Sequence, residues 1–145
     1  MFKYKNLDLF SIVKNTQIKT PVFLDKVSAG FPSPATDYME TKLDLNEYLI
    51  KHPSATFYIY AKGDSMIDDG IYSGDIMIVD RSLSPKSKDI VIAVIDGEFT
   101  VKRIYNKSNK IYLIPSNKRY KYIPITDDMD FQIWGVVTHT IHHCR

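Results

Sequence analysis

The stretch Ile90-Val91-Ile92-Ala93-Val94-Ile95-Asp96-Gly97-Glu98-Phe99-Thr100-Val101-Lys102-Arg103-Ile104-Tyr105 decides the fold of this chain. Its first six residues are apolar without a break, as expected of a strand covered on both faces. Asp96-Gly97 follows, and Asp-Gly between two strand-forming runs is the strongest short-range hairpin signal. In the returning strand, period-2 alternation sets Thr100, Lys102 and Ile104 on one face and Phe99, Val101 and Arg103 on the other. Lys102 and Arg103 therefore point opposite ways. One of these two basic side chains must face inward or lie along the sheet.

The same pattern extends in both directions. Upstream, Phe57-Tyr58-Ile59-Tyr60-Ala61 reads as a strand ending at Gly63, and Ile76-Met77-Ile78-Val79 as another, entered through Ser73-Gly74-Asp75. Downstream, a second hairpin turns between Asn106 and Lys110 into Ile111-Tyr112-Leu113-Ile114. Further strands are expected over 120–125 and 131–141. One helix is signalled: Asp44 caps it, Glu47 completes a capping-box pattern, Leu45, Tyr48 and Leu49 form an apolar stripe, and Pro53 stops it after His52. The first thirty residues differ. Residues 1–19 show no sustained period, and Val22-Phe23-Leu24 reads as a short strand. In Val27-Ser28-Ala29-Gly30-Phe31-Pro32-Ser33-Pro34 the glycine and two prolines favour extended, accessible backbone. The expected architecture is mostly β: a compact β-rich domain with a short helix and an extended N-terminal arm.

Composition narrows the function classes. The chain has 145 residues, enough for one compact domain, and 44% of them are hydrophobic, enough for a core. Ten tyrosines and seven phenylalanines favour strands. A net charge of +2 without a dense Lys/Arg cluster argues against direct, sequence-specific DNA binding. The single cysteine, Cys144, cannot form an internal disulfide, which fits a reducing compartment. No apolar run approaches membrane-spanning length, and the first residues lack the apolar core of a secretion signal. A cytoplasmic protein is expected.

Two residues stand out chemically. Gly63-Asp64-Ser65-Met66 places Ser65 at the tip of a glycine-led turn, where backbone N–H groups can converge on an oxyanion. A plainer role for Ser65 is to cap a helical turn, with Asp68 as its partner. A serine nucleophile needs a base. None of His52, His139, His142 and His143 lies in a recognisable triad context. Lysine is the alternative, and it acts as a base only when burial strips its charge. Lys102 is the candidate; its plainer role is a solvated lysine on an open sheet face.

Ala29-Gly30, Gly63-Asp64-Ser65-Met66 and Thr100-Val101-Lys102-Arg103 occur in the order and approximate spacing of the LexA/UmuD family of self-cleaving Ser-Lys peptidases, which the chain resembles from about Val27 onward. Three motifs in register are far more specific than any one of them. Gly74-Asp75, Asp89-Ile90-Val91-Ile92-Ala93 and Asp96-Gly97-Glu98-Phe99 add to the likeness. With only 29 residues before Gly30, too few for a helix-turn-helix domain and linker, the chain is similar to the UmuD-type branch rather than to the repressors. The resemblance implies a LexA-type β-rich fold and a division into an arm, 1–29, and a peptidase and polymerase-accessory domain, 30–145. It implies that Ser65 is the nucleophile, Lys102 the general base, the N–H groups of Asp64 and Ser65 the oxyanion donors, and Ala29–Gly30 the bond cut. It further implies a homodimer of the SOS response to DNA damage. Cleavage would be stimulated by a RecA–single-stranded DNA filament, and the trimmed form would join a UmuC-type subunit in an error-prone translesion DNA polymerase. No cofactor is implied.

Three rival readings are weaker. A non-catalytic binding module that regulates a polymerase or repressor would not need Ser65, Lys102 and Ala29-Gly30 intact. Signal peptidase is another Ser-Lys enzyme, but it carries a membrane anchor. A metal site at His139, His142, His143 and Cys144 matches no standard ligand spacing, and a frayed polar tail is the simpler expectation.

Overall fold

The computed structural model describes residues 9–11, 19–23, 29–31 and 39–145. The chain packs as two compact units, one of residues 1–12 with 52–145 and one of residues 13–51. In the larger unit the strands are β1 (Leu9–Ser11), β4 (Thr56–Tyr60), β5 (Ile76–Asp80), β6 (Ile90–Ile95), β7 (Glu98–Lys107), β8 (Lys110–Ile114), β9 (Ile123–Pro124) and β10 (Phe131–Ile141). In the smaller they are β2 (Lys19–Phe23) and β3 (Met39–Asp44), followed by helix α1 (Leu45–Leu49).

The eight strands of the larger unit form one sheet in the order β1-β4-β5-β10-β6-β7-β8-β9, with every neighbouring pair antiparallel. The mostly β expectation holds. β10 joins the halves: Phe131–Val136 pairs with β6 and Val136–Ile141 with β5, with a register shift on each side. The β6–β7 hairpin is the one read from the sequence. Asp96 and Gly97 both take positive φ, 50° and 83°, which a two-residue turn matched to strand twist requires. Ser108 and Asn109, at φ 52° and 60°, make the β7–β8 turn in the same way.

β6 is buried on both faces, as its unbroken apolar run requires. Ile92 lies in one cluster with Ile59, Met66, Met77, Val79 and Trp134, while Val91 and Ala93 lie in another with Ile104, Leu113 and Val136. The alternation along β7 holds as well: Phe99 and Val101 pack on the first cluster, and Ile104 belongs to the second.

β10 runs beside β5 at a place where only glycine fits. A Cβ built on Gly135 would lie 2.6 Å from Val79 Cγ1, and Val79 is fully buried with no room to retreat. Gly135→Ala should therefore destabilise the fold by about 1–3 kcal/mol, an overpacking cost. Thermal denaturation checks this: the melting temperature should fall by several degrees, and an unchanged value would show that the strands separate freely there.

Several elements differ from expectation. β1, in a segment without periodicity, hydrogen-bonds to β4 through Leu9↔Ile59, Phe10↔Tyr58 and Ser11↔Phe57. The strand expected at 22–24 is β2, paired with the unanticipated β3; Leu24 lies outside the described residues. Asp44 caps α1 as read, accepting the N–H groups of Asn46 and Glu47 at 2.9 and 3.3 Å. The helix ends at Leu49, before Pro53 comes into play, and Leu45 and Tyr48 are exposed rather than packed. The strand expected over 120–125 shrinks to Ile123–Pro124: the Tyr120 N–H bonds back to the Asn117 carbonyl at 3.1 Å in a turn instead of joining the ladder. Of the stretch 27–34 only 29–31 is described, and it forms a bend.

Candidate active site

The Ser65 loop is built between two fixed points. At its base, Ala61 N–H donates to the Asp75 carbonyl at 2.8 Å and Gly74 N–H to the Ala61 carbonyl at 2.9 Å. Gly63, at φ 90°, turns the chain in a conformation other residues rarely adopt. Met66, 2% exposed, then plugs into the core and pins the far side of Ser65. A single 3-10 turn follows, Ile67–Asp69. Met66, not Ser65, stands at its N-cap position, so the plainer capping role for Ser65 does not apply.

The partner of Ser65 is Lys102. Its Nζ lies 2.9 Å from Ser65 Oγ across 37 residues of sequence. It also reaches Thr100 Oγ1 at 2.8 Å and the Val101 carbonyl at 2.9 Å. Lys102 is the inward-facing basic residue of β7, 8% exposed. Arg103 turns the other way and grips Asp69, with Nη2 2.6 Å from Oδ1 and Nε 3.2 Å from Oδ2. Among the described residues no carboxylate pairs with Lys102. Burial without a counter-charge disfavours the ammonium, and the Lys102 pKa is pushed below its ordinary value of 10.5. A neutral amine has two N–H bonds and one lone pair. Thr100 Oγ1 and the Val101 carbonyl can accept both N–H groups, which leaves the lone pair facing the Ser65 hydroxyl.

A depression of about 400 Å³ opens beside this pair. Ile59, Met77 and Ile92 line it with apolar surface, and Gly97, Phe99 and Thr100 of the β6–β7 hairpin also border it. Among the described residues neither the Asp64 nor the Ser65 N–H donates to a backbone carbonyl.

Two of the four histidines are engaged elsewhere. His52 Nδ1 lies 2.6 Å from Asp80 Oδ2, and His142 Nδ1 lies 2.7 Å from Asp75 Oδ1. These two buried carboxylates bracket β5. Burial raises both pKa values, but hydrogen bonds from Tyr72 N–H and His142 at Asp75, and from Ser82 and His52 at Asp80, outweigh it and the net shift is downward. The resulting stabilisation is present above the ordinary carboxylate pKa and is lost as pH falls through the lowered one. His142 also packs against Tyr72, so the chain is held at the residue that follows β10. β10 ends at Ile141, so strand alternation does not extend to His142, His143 and Cys144. No three metal-ligating side chains cluster among the described residues.

Ala29 and Gly30 belong to the smaller unit, where both are exposed. The structure thus brings Ser65, Lys102 and the Asp64–Ser65 amides together, and describes Ala29–Gly30 separately. It also adds two groups. Thr100 shared a face with Lys102 by alternation, so its contact was within reach of that pattern. Asn117 Nδ2, which donates to the Asp64 carbonyl at 2.8 Å, carried no local signal.

Residues 21–138 match the Peptidase S24-like family. The chain belongs to this family. Among S24-like relatives, it is 50% identical over 129 residues to Protein SamA of Salmonella typhimurium strain LT2, covering 89% of each chain. It is 47% identical over 133 residues to Protein ImpA of Escherichia coli, covering 86% of this chain and 85% of ImpA. It is 37% identical over 124 residues to LexA repressor 1 of Xanthomonas oryzae, covering 85% of this chain and 60% of the repressor. The resemblance to UmuD-type members of the LexA/UmuD family therefore holds. Among the described residues no helix is long and apolar enough to cross a membrane.

Proposed function

We propose that this S24-like chain is a serine endopeptidase that cuts its own Ala29–Gly30 bond. The observation that carries the reading is the 2.9 Å approach of a buried, charge-unpaired Lys102 amine to Ser65 Oγ. Lys102 takes the Ser65 proton as Oγ attacks the Ala29 carbonyl carbon. The tetrahedral oxyanion is held by the N–H groups of Asp64 and Ser65. As the intermediate collapses, the C–N bond to Gly30 breaks and Lys102 returns the proton to the leaving amine. Water then attacks the Ala29 acyl ester, with Lys102 again as base, and frees Ser65. The products are residues 1–29, ending in a carboxylate, and a body beginning with the Gly30 amine. Small side chains on either side of the bond allow close approach. A tether in the same chain or dimer supplies a high effective concentration.

The UmuD-type relatives support a role in SOS mutagenesis. On that basis the cytoplasmic protein acts as a homodimer, and a RecA–single-stranded DNA filament stimulates cleavage by favouring the productive pose of the arm. The trimmed form serves as accessory subunit to a UmuC-type translesion polymerase.

Mass spectrometry with N-terminal sequencing tests the cleavage. The purified chain is incubated at neutral and alkaline pH, alone and with the activated filament. A fragment beginning at Gly30 is expected. An intact chain under every condition, or a cut at another bond, would overturn the reading.

A further inference from the structure

We propose that Asn117 is a positioning residue that aims the Ser65 N–H at the reacting carbonyl oxygen. This inference rests on the serine peptidase reading above. Asn117 follows β8 and is 7% exposed. Its amide orientation is fixed by its neighbours. Oδ1 accepts the Arg119 N–H at 3.0 Å, so Nδ2 is the group that donates to the Asp64 carbonyl at 2.8 Å. The Asn117 carbonyl also accepts the Tyr120 N–H at 3.1 Å, which holds the turn that carries the side chain.

What Asn117 grips is one end of a rigid plate. The Asp64 carbonyl and the Ser65 N–H belong to the same peptide unit, and no cis peptide occurs among the described residues. In a planar trans peptide these two bonds point in opposite directions. Fixing the carbonyl therefore fixes the N–H, and a rotation that redirected the N–H would break the bond from Asn117. The competing hold on this carbonyl, from Ile67 N–H, is long at 3.4 Å. The same segment holds the loop beyond the nucleophile, where Asp68 N–H donates to the Ser116 carbonyl at 2.8 Å. Tyr120 Oη also donates to Asp64 Oδ1, but a side-chain contact leaves the peptide plane free to turn. An oxyanion donor contributes only if it is aligned before charge develops. Asn117 supplies that alignment without touching substrate.

The test is the first-order self-cleavage rate of the full chain from neutral to alkaline pH, with thermal melting of each variant. Asn117→Ala removes the grip. Asn117→Asp keeps the side-chain size but sets a carboxylate oxygen against the carbonyl. Both should lower the alkaline plateau by roughly 10²-fold, the lower end for loss of one oxyanion donor, and Asn117→Ala, which adds no charge, should leave the pH midpoint unchanged. Tyr120→Phe should stay within a few-fold of the unsubstituted chain. A rate near that of the unsubstituted chain in either Asn117 variant would overturn the proposal. So would a shifted midpoint in Asn117→Ala, which would place Asn117's influence on Lys102, or loss of the melting transition in both variants, which would make Asn117 purely structural. If the unsubstituted chain itself is not cut, the peptidase reading fails, and this proposal with it.

Discussion

Ser65→Ala and Lys102→Arg should each leave the chain whole at Ala29–Gly30 while the sheet remains folded. On the proposed mechanism Ser65→Ala removes the atom that forms the acyl bond, so the rate should drop by at least ~10⁴-fold, toward the level that binding and amide donors alone support. Lys102→Arg is the more informative change. It keeps a long basic side chain but replaces an amine that burial can neutralise with a guanidinium that stays protonated. A fall of roughly 10²–10⁴-fold is expected for loss of the general base. If Lys102 acted instead by charge attraction, arginine would retain activity. Denaturing gel electrophoresis after prolonged alkaline incubation reads the cleavage, and circular dichroism confirms the fold. Intact product formation by either variant would reject the assigned pair. Ser65→Ala should also melt close to the unsubstituted chain, because its hydroxyl lies at the rim of a depression and its loss opens no core cavity.

The elements legible in the sequence are those whose cause is local. Asp96-Gly97 specifies its hairpin because the turn needs two positive φ angles and the residues supply them. Asp44 starts α1 because its carboxylate reaches the N–H groups of Asn46 and Glu47, two and three residues on. Lys102 and Ser65 were legible for another reason: each sits in a motif set by its own turn or strand, and the family likeness supplied their pairing across 37 residues. Elements set by distant partners were not legible. β1 is three residues long and owes its strand state to β4, some fifty residues away. β3 depends on β2 in the same way. Tyr120 and Tyr122 suggest a strand by propensity, yet Tyr120 bonds to Asp64 and the ladder is confined to Ile123–Pro124. His52 and His142 look like surface residues until the fold carries buried Asp80 and Asp75 to them.

The same buried amine should govern both the rate and the stability as pH changes. Below the lowered Lys102 pKa almost every molecule carries the ammonium, and the cleavage-competent fraction grows about tenfold for each unit of pH. Above that pKa the rate levels off. Stability follows from proton counting. Unfolded, Lys102 holds its proton up to its ordinary value of 10.5, whereas folded it releases it at a lower pH. Between the two values the unfolded chain binds more protons, so this residue makes stability rise with pH across that window. Below the folded pKa its contribution is constant, and the folded state bears the full cost of a buried charge. Lys102→Met removes the titrating group while filling much of the same space. Its melting temperature should therefore lack the alkaline-side rise attributable to Lys102, and its advantage over the unsubstituted chain should be largest at neutral pH and shrink toward pH 10. Parallel profiles of self-cleavage rate and of this melting difference check the argument. The rate plateau should begin at the lower edge of the window in which the melting difference changes. A rate that is flat from neutral to alkaline pH would mean that Lys102 is not the group that takes the serine proton, and a melting difference that does not vary with pH would mean that Lys102 keeps an ordinary pKa.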